Sequence, residues 1–398
     1  MSDHQHVPSP ATPATRSGRR GPVGVGVIGA GMISDTYLEN LTRFPDVRVL
    51  VVGDLDTGRA RMQAEKHGVG ESGASEGVLA HPDVELVVNL TVPAVHAEVS
   101  SAALGAGKHV WSEKPIAVDR SSATALLEQA RSAGLLIGVA PDTVLGPGLQ
   151  TARRVIARGD IGEPLSAQTV IQYPGPQLFH PNPAFLFAAG AGPLYDMGPY
   201  YLTALAHLFG PFSRVAAVGS IGRATRRIEV GDLAGTDFPV SVPTHVAAIA
   251  QFSGGGVAQS VFSFDSPLVR TGIIEITGTE GTMRVPDPNT FAGDITITPA
   301  ATSETMRRNP EWTTIPAAGV VAGRGIGALD LARCLRRGGD LVASARLGYH
   351  VLDVMVSMDE SIQTGRMLQI ASTIDPIPVV DEAWDPFAAT IGSAPEPR

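Results

Sequence analysis

One unit near the start constrains this chain more than any other feature. Val23–Ile28 is a short, continuous apolar run of the kind that forms a strand buried on both faces. Gly29-Ala30-Gly31-Met32-Ile33-Ser34 follows it. Ile33, Tyr37, Leu41 and Phe44 then recur at helical spacing, and Val47–Gly53 is a second apolar run that ends in Asp54. A strand, a glycine-rich turn, a helix, a strand and an acid, in that order, make the dinucleotide-binding unit. Gly29 permits the tight turn. Gly31 presents no side chain to a pyrophosphate, and the helix that starts there offers amide donors and a partial positive charge. Met32 and Ile33 open that helix and are taken with the glycines as cofactor contacts. Asp54 lies 23 residues beyond Gly31, where a carboxylate can accept both ribose hydroxyls. A 2′-phosphate there would meet like charge, which favours NAD, while Arg59 and Arg61 keep NADP open. The third glycine of the fingerprint is replaced by Ser34, a change expected to loosen helix–strand packing.

The pattern continues with Val84–Leu90, a helix ending at Gly107, Lys108–Trp111, a helix over Ser121–Ser132, and Leu135–Val139. Six such strands would complete a parallel, doubly wound sheet. Ligands bind outside the carboxyl ends of its strands. Thr91, Pro93 and Glu113-Lys114 all fall at such ends.

At 398 residues the chain has room for about two domains. With 43% hydrophobic and 17% charged residues it is not disordered as a whole. The net charge of −9 leaves no broad basic field for a nucleic-acid backbone. The one cysteine, Cys334, excludes an intramolecular disulfide and fits a reducing compartment. No helix carries a metal-ligand spacing. Phe238–Phe264 contains no Asp, Glu, Lys or Arg, but its prolines and Gly254-Gly255-Gly256 indicate two strands and a hairpin, not a membrane span. Val261, Phe262 and Phe264 suggest that the sheet formed there has an apolar outer face in need of cover. Arg19-Arg20 before an apolar run mimics a twin-arginine signal. That run is the first strand of the fold, so a cytoplasmic location is expected. Residues 1–21 are expected to be a disordered tail, 22–145 the dinucleotide-binding domain, 146–380 a substrate-binding and oligomerisation domain, and 381–398 a loose tail.

Three segments together closely resemble the Gfo/Idh/MocA oxidoreductase family: Gly29-Ala30-Gly31, the run Thr91-Val92-Pro93-Ala94-Val95-His96, and Gly105-Ala106-Gly107-Lys108-His109-Val110-Trp111-Ser112-Glu113-Lys114-Pro115. The resemblance extends from about residue 22 to about residue 370. It implies an N-terminal Rossmann domain and a C-terminal α/β domain built on a large open, mostly antiparallel sheet. It also implies NAD or NADP as cofactor and a sugar, polyol or cyclitol as substrate. The family places the 91–96 region beside the nicotinamide, so Thr91, Pro93 and His96, with Glu113 and Lys114, enter as expected cofactor contacts. Members pair their C-terminal sheets, which implies a homodimer or homotetramer.

Hydride exchange between a carbinol carbon and nicotinamide needs a group that takes or gives the hydroxyl proton. Lysine serves if burial or nearby positive charge lowers its pKa. Pro115 restricts Lys114 to extended backbone, and the Glu113 side chain is expected to point the opposite way. Further on, Gly190-Ala191-Gly192-Pro193-Leu194-Tyr195-Asp196-Met197-Gly198-Pro199-Tyr200-Tyr201 runs into an apolar helix. The family carries Asp-x-Gly-x-His here. Asp196 and Gly198 match, and Tyr200 stands at the His position, as in some members. Asp196 and Tyr200 fall one helical turn apart. Tyr200 is therefore expected as proton relay, Lys114 as its electrostatic partner or alternative base, and Asp196 as acceptor of a substrate hydroxyl. His180, in a Pro-rich loop, is a candidate substrate contact. Tyr201 and His207 are expected to be structural. Two other functions fit the same motifs: an NAD-dependent glycoside hydrolase working by transient oxidation, and a non-enzymatic dinucleotide-binding sensor.

Overall fold

The computed structural model describes residues 20–392. Expectations for residues 1–19 and 393–398 lie outside the described residues. The chain divides into two compact units. Among the described residues, the first comprises 20–146, Gly319–Leu352 and 380–392; the second comprises Pro147–Ala318 and Asp353–Val379.

In the first unit, strands and helices alternate: β1 (Val23–Ile28), α1 (Met32–Leu41), β2 (Val47–Gly53), α2 (Thr57–His67), β3 (Glu71–Gly73), α3 (Ser75–Ala80), β4 (Leu86–Asn89), α4 (His96–Gly105), β5 (His109–Ser112), α5 (Arg120–Ala133) and β6 (Ile137–Val139). The sheet is parallel, with order β3-β2-β1-β4-β5-β6. All six residues of β1 are buried, as a central strand covered on both faces requires. The strand that sequence patterning left unidentified is β3. It is three residues long and mostly exposed, so it carries no apolar run. Ser34 corrects the expectation of loosened packing: it is fully buried, and its hydroxyl donates to the Gly31 carbonyl at 2.6 Å.

The second unit contains α6 (Pro147–Arg158), β7 (Pro164–Gln172), α7 (Pro193–Phe209), β8 (Phe212–Ser220), a two-stranded ribbon of β9 (Thr225–Arg227) and β10 (Asp237–Pro239), β11 (His245–Phe252), β12 (Val257–Ser263), β13 (Arg270–Gly278), β14 (Gly281–Val285), β15 (Ile295–Pro299) and β16 (Thr313–Ile315). Helix α8 (Ile326–Arg337) belongs to the first unit, α9 (Ala345–Thr364) follows it, and β17 (Leu368–Gln369) closes the second. The large sheet has nine strands in the order β16-β15-β14-β13-β7-β12-β11-β8-β17. Every pairing is antiparallel except β12 with β7. The charge-free stretch from Phe238 to Phe264 is thus the end of β10 and the β11–β12 hairpin. No helix among the described residues is long and apolar enough to cross a membrane.

Helix α7 packs on β7, β11 and β12. Alternation along β11 and β12 sends Val246, Ala248, Phe252, Ala258 and Phe262 inward. Phe262 and Phe264 are fully buried, which corrects their use as evidence for an apolar outer face. That face carries Val218, Ile249 and Val257 instead, all more than half exposed, interspersed with Gln251 and Gln259.

Two boundary expectations are corrected. The second domain is not continuous from 146 to 380, because 319–352 return to the first unit. Nor are residues 381–391 loosely held. Asp46 accepts from the Thr390 hydroxyl at 2.6 Å and from the backbone N–H groups of Thr390 and Ile391, both at 2.9 Å. It also pairs with Arg333 of α8 at 2.8 Å. The Arg333 guanidinium lies over Trp384 and donates to the carbonyls of Asp385 and Ala388. Asp46 and Arg333 are 287 positions apart, and no local pattern announces their pairing.

Candidate cofactor and active site

Where β1 ends, the backbone turns sharply at Gly29, whose φ is +104°. A Cβ there would sit 2.6 Å from the Leu90 carbonyl carbon, so only glycine fits against the end of β4. Gly31 caps α1 in extended conformation, with no side-chain cap on the helix. A Cβ on Gly31 would meet nothing within 4 Å. The helix N-terminus therefore opens onto clear space, as a phosphate-binding turn requires. Met32 is 71% exposed, Ile33 half-buried, and Leu55 and Val92 are exposed, all close to carboxyl ends of the strands. Amide donors beside apolar side chains suit a ligand that combines phosphates with flat rings.

Asp54 is buried at the end of β2. Its Oδ2 accepts the Ala30 N–H at 2.6 Å; its Oδ1 accepts the Asp56 N–H at 2.8 Å and Arg59 Nη2 at 2.7 Å. Burial pushes the carboxyl up, but the Arg59 guanidinium and these backbone donors outweigh it and hold Asp54 below the usual carboxylate range. The acid is ionised and rigidly tied to the glycine-rich turn. Arg59, which kept the phosphorylated cofactor open in sequence terms, is paired with it.

At the end of β4, Asn89 is fully buried. Its Oδ1 accepts the N–H and hydroxyl of Thr91, and its Nδ2 donates to the His96 carbonyl and to Ser100 Oγ. Thr91 and Pro93 are half-buried, with Pro93 opening a 3-10 turn. His96 is 1% exposed, and both ring nitrogens face backbone carbonyls.

At the end of β5, Glu113 is buried, with Oε1 accepting the Tyr37 hydroxyl at 2.8 Å and Oε2 accepting the Lys114 backbone N–H at 3.0 Å. Tyr37 also accepts from Trp111 Nε1 at 3.2 Å. Burial, then the Glu113 charge, raises the Tyr37 phenol well above its ordinary value, so it stays a donor. Glu113 thus holds the backbone that presents half-buried Lys114. The Lys114–Pro115 peptide bond is cis. Lys114 is one of three lysines in the chain, with Lys66 and Lys108. Lys66 pairs with Asp35, and Lys108 donates to the His81 and Val84 carbonyls. That scarcity was a legible signal for Lys114.

In the second unit, Asp196 lies half-buried in the first turn of α7, its N–H donating to the Gly192 carbonyl at 3.0 Å. Tyr200 is buried on the next turn of the same helix. Tyr201 is fully buried and accepts the Gly272 N–H. His207 is buried, and burial pushes it down to about 3. His180 is half-buried; its Nδ1 accepts the Asn182 N–H at 3.0 Å, and its ring meets Phe185 edge-on.

Tyr173, just past β7, was not anticipated. Burial and then the Asp196 charge raise its phenol above its ordinary value, so the phenol is neutral and near that carboxylate. Its ring stacks on Phe179 and meets Phe264 edge-on. Arg226 fixes this corner by an ion pair with Asp265 and bonds to the Pro174 and Phe264 carbonyls.

Comparison with known proteins agrees with this geometry. Residues 23–140 match the family described as oxidoreductase family, NAD-binding Rossmann fold, and residues 149–284 match the GFO/IDH/MocA C-terminal domain. A trans-1,2-dihydrobenzene-1,2-diol dehydrogenase of Bos taurus is 30% identical over 268 residues, covering 66% of this chain and 74% of that protein. A 1,5-anhydro-D-fructose reductase of Ensifer adhaerens is 28% identical over 267 residues, covering 65% and 74%. Among solved structures, an NAD-binding oxidoreductase from Klebsiella pneumoniae superposes with a TM-score of 0.75 at 22% identity, covering 88% of this chain and 99% of that one. A levoglucosan dehydrogenase in complex with NADH and levoglucosan also gives 0.75, at 23% identity, with the same coverage. The chain belongs to the Gfo/Idh/MocA family and is an NAD-binding oxidoreductase.

Proposed function

We propose that the protein moves a hydride between nicotinamide and a secondary alcohol or carbonyl of a sugar, sugar derivative or cyclitol. Lys114 and Tyr200 act as the acid/base pair and Asp196 accepts a substrate hydroxyl. The observation that carries this reading is the anchoring of Lys114: Glu113 grips its amide at the carboxyl end of β5, where α/β sheets bind ligands. Two of the relatives above are named for a cyclic diol and an anhydro sugar, in support of that substrate class. Bound nicotinamide supplies or accepts the hydride. The Gly29–Ile33 turn would hold the pyrophosphate and Asp54 the adenosine ribose. The chain's remaining task is the hydroxyl proton, taken or returned by Lys114 or Tyr200 while Asp196 orients the carbinol.

A nicotinamide-absorbance screen over inositols, pentoses, hexoses, their lactones and anhydro sugars, with NAD and with NADP, tests this. Free NADH should accumulate with at least one of them, and Lys114→Met should lower kcat about 10²-fold or more. Catalytic NAD with release of an aglycone would favour hydrolysis instead. Unchanged turnover in the Met variant would remove Lys114 from its role. A homodimer or homotetramer through the outer face of the nine-stranded sheet is part of this reading, supported by exposed Val218, Ile249 and Val257, and light scattering after size exclusion checks it.

A further inference from the structure

The His96 ring lies between carbonyls of two different loops. Nδ1 is 2.8 Å from the Pro115 oxygen, 19 residues on, and Nε2 is 2.9 Å from the Thr91 oxygen, five residues back. Carbonyl oxygens carry no proton, so each contact needs an N–H from the ring. A neutral imidazole has one and an imidazolium has two. Burial pushes the ring toward neutrality and Lys114 adds to that push; the two carbonyls and the Glu113 carboxylate oppose it. The imidazolium bonds both carbonyls, and the neutral ring bonds the Pro115 carbonyl across the gap when its one proton is on Nδ1, the nitrogen that faces the other loop. The backbone beneath it is fixed as well, because Asn89 binds the His96 carbonyl with one end and Thr91 with the other. The Thr91 turn and His96 are therefore one rigid body, and the Pro115 carbonyl is tied to it. On the other side of Lys114, Glu113 holds the amide.

We propose that His96 is a positioning residue whose imidazole staples the Lys114–Pro115 segment to the Thr91 turn and so fixes where the Lys114 side chain leaves the backbone. The assignment gains importance from the acid/base reading of Lys114, but the staple can be tested without turnover. A histidine that only filled space would be replaced by any side chain of similar volume. A staple is replaced only by a side chain with N–H donors.

The scarcity of lysine makes the test clean. Reductive ¹³C-methylation of the full chain labels Lys66, Lys108, Lys114 and the N-terminal amine, and the Lys114 signal is the one that Lys114→Met removes. In His96→Leu the Lys114 signal should move and broaden while those of Lys66 and Lys108 stay. In His96→Gln, whose amide carries two donors, it should return toward its wild-type position. A Lys114 signal equal in both variants overturns the proposal. If the Leu variant does not fold, the unmodified protein decides: ring ¹⁵N shifts should place a slowly exchanging proton on His96 Nδ1, and a ring protonated at Nε2 alone, or fast exchange of the Nδ1 proton, overturns the staple. Absence of turnover on every alcohol screened would sink the catalytic reading and leave these signals unaffected.

Discussion

The hydroxyl of Tyr37, in the first helix of the dinucleotide-binding unit, donates to Glu113 at the end of β5, 2.8 Å away and 76 residues further along the chain. Both groups are buried, so the bond is made where water does not compete. Tyr37→Phe would leave Glu113 Oε1 without this donor. Leaving a buried polar group unsatisfied costs about 1–3 kcal/mol, more when it is charged. A lowered Tm, with kcat reduced in the folded protein because Glu113 also positions Lys114, is the expected outcome. A Tm and kcat equal to wild type would show that the bond does not hold the loop.

The two glycines of the first turn should fail differently. Gly29→Ala forces a Cβ onto the Leu90 carbonyl at positive φ and should lower stability by at least about 1 kcal/mol. Gly31→Ala meets no protein atom, so its Tm should stay near wild type while NADH affinity falls. Titration of NADH fluorescence beside thermal melts separates the two. Normal NADH binding by the Gly31→Ala protein would place the pyrophosphate elsewhere.

Asp54→Ser removes the charge that, on the proposed placement of the ribose, would repel a 2′-phosphate, and it frees Arg59 from its 2.7 Å partner. The ratio of kcat/KM for NADP over NAD should rise, with the greater part of the change being loss of NAD, on the order of tenfold, equivalent to about 1.4 kcal/mol. An unchanged ratio would mean that the carboxylate does not face the ribose.

Buried acids should give stability an unusual slope with pH. Burial raises Asp142 to about 6, against the Arg324 charge and the N–H groups of Gly325 and Gly327. Burial raises Asp330 to about 6 as well. The folded state therefore keeps these protons where the unfolded chain, at about 3.9, has lost them. Stability should fall as pH rises from about 4 to about 6 and then level off, by up to about 3 kcal/mol for each acid. Denaturant melts of Asp142→Asn, which keeps an acceptor for the Gly325 N–H, should lose part of that slope. An Asn variant with an unaltered slope would sink the assignment.

Much of the fold was legible because its signals are local. A buried parallel strand is an apolar run, a phosphate-binding turn needs glycine at set positions, and a carboxylate follows the second strand; each is written within a few consecutive residues from Val23 to Asp54. The Glu113-Lys114-Pro115 segment and the spacing of Asp196 and Tyr200 are local in the same sense. Strand β3 escaped because three exposed residues carry no apolar period.

Tertiary structure alone decided where the polar side chains spend their hydrogen bonds. Asp54 faces the turn amide of Ala30, Glu113 faces Tyr37, His96 is enclosed between Thr91 and Pro115, and Asp46 gathers the chain's last described residues. Apart from Thr91, five residues before His96, each partner comes from another loop or helix, brought near by the packing of strands that are distant in sequence. Apolar periodicity encodes which face of an element is buried. It does not encode which donor waits on the far side, because a hydrogen bond depends on the position of one atom and not on the character of a face.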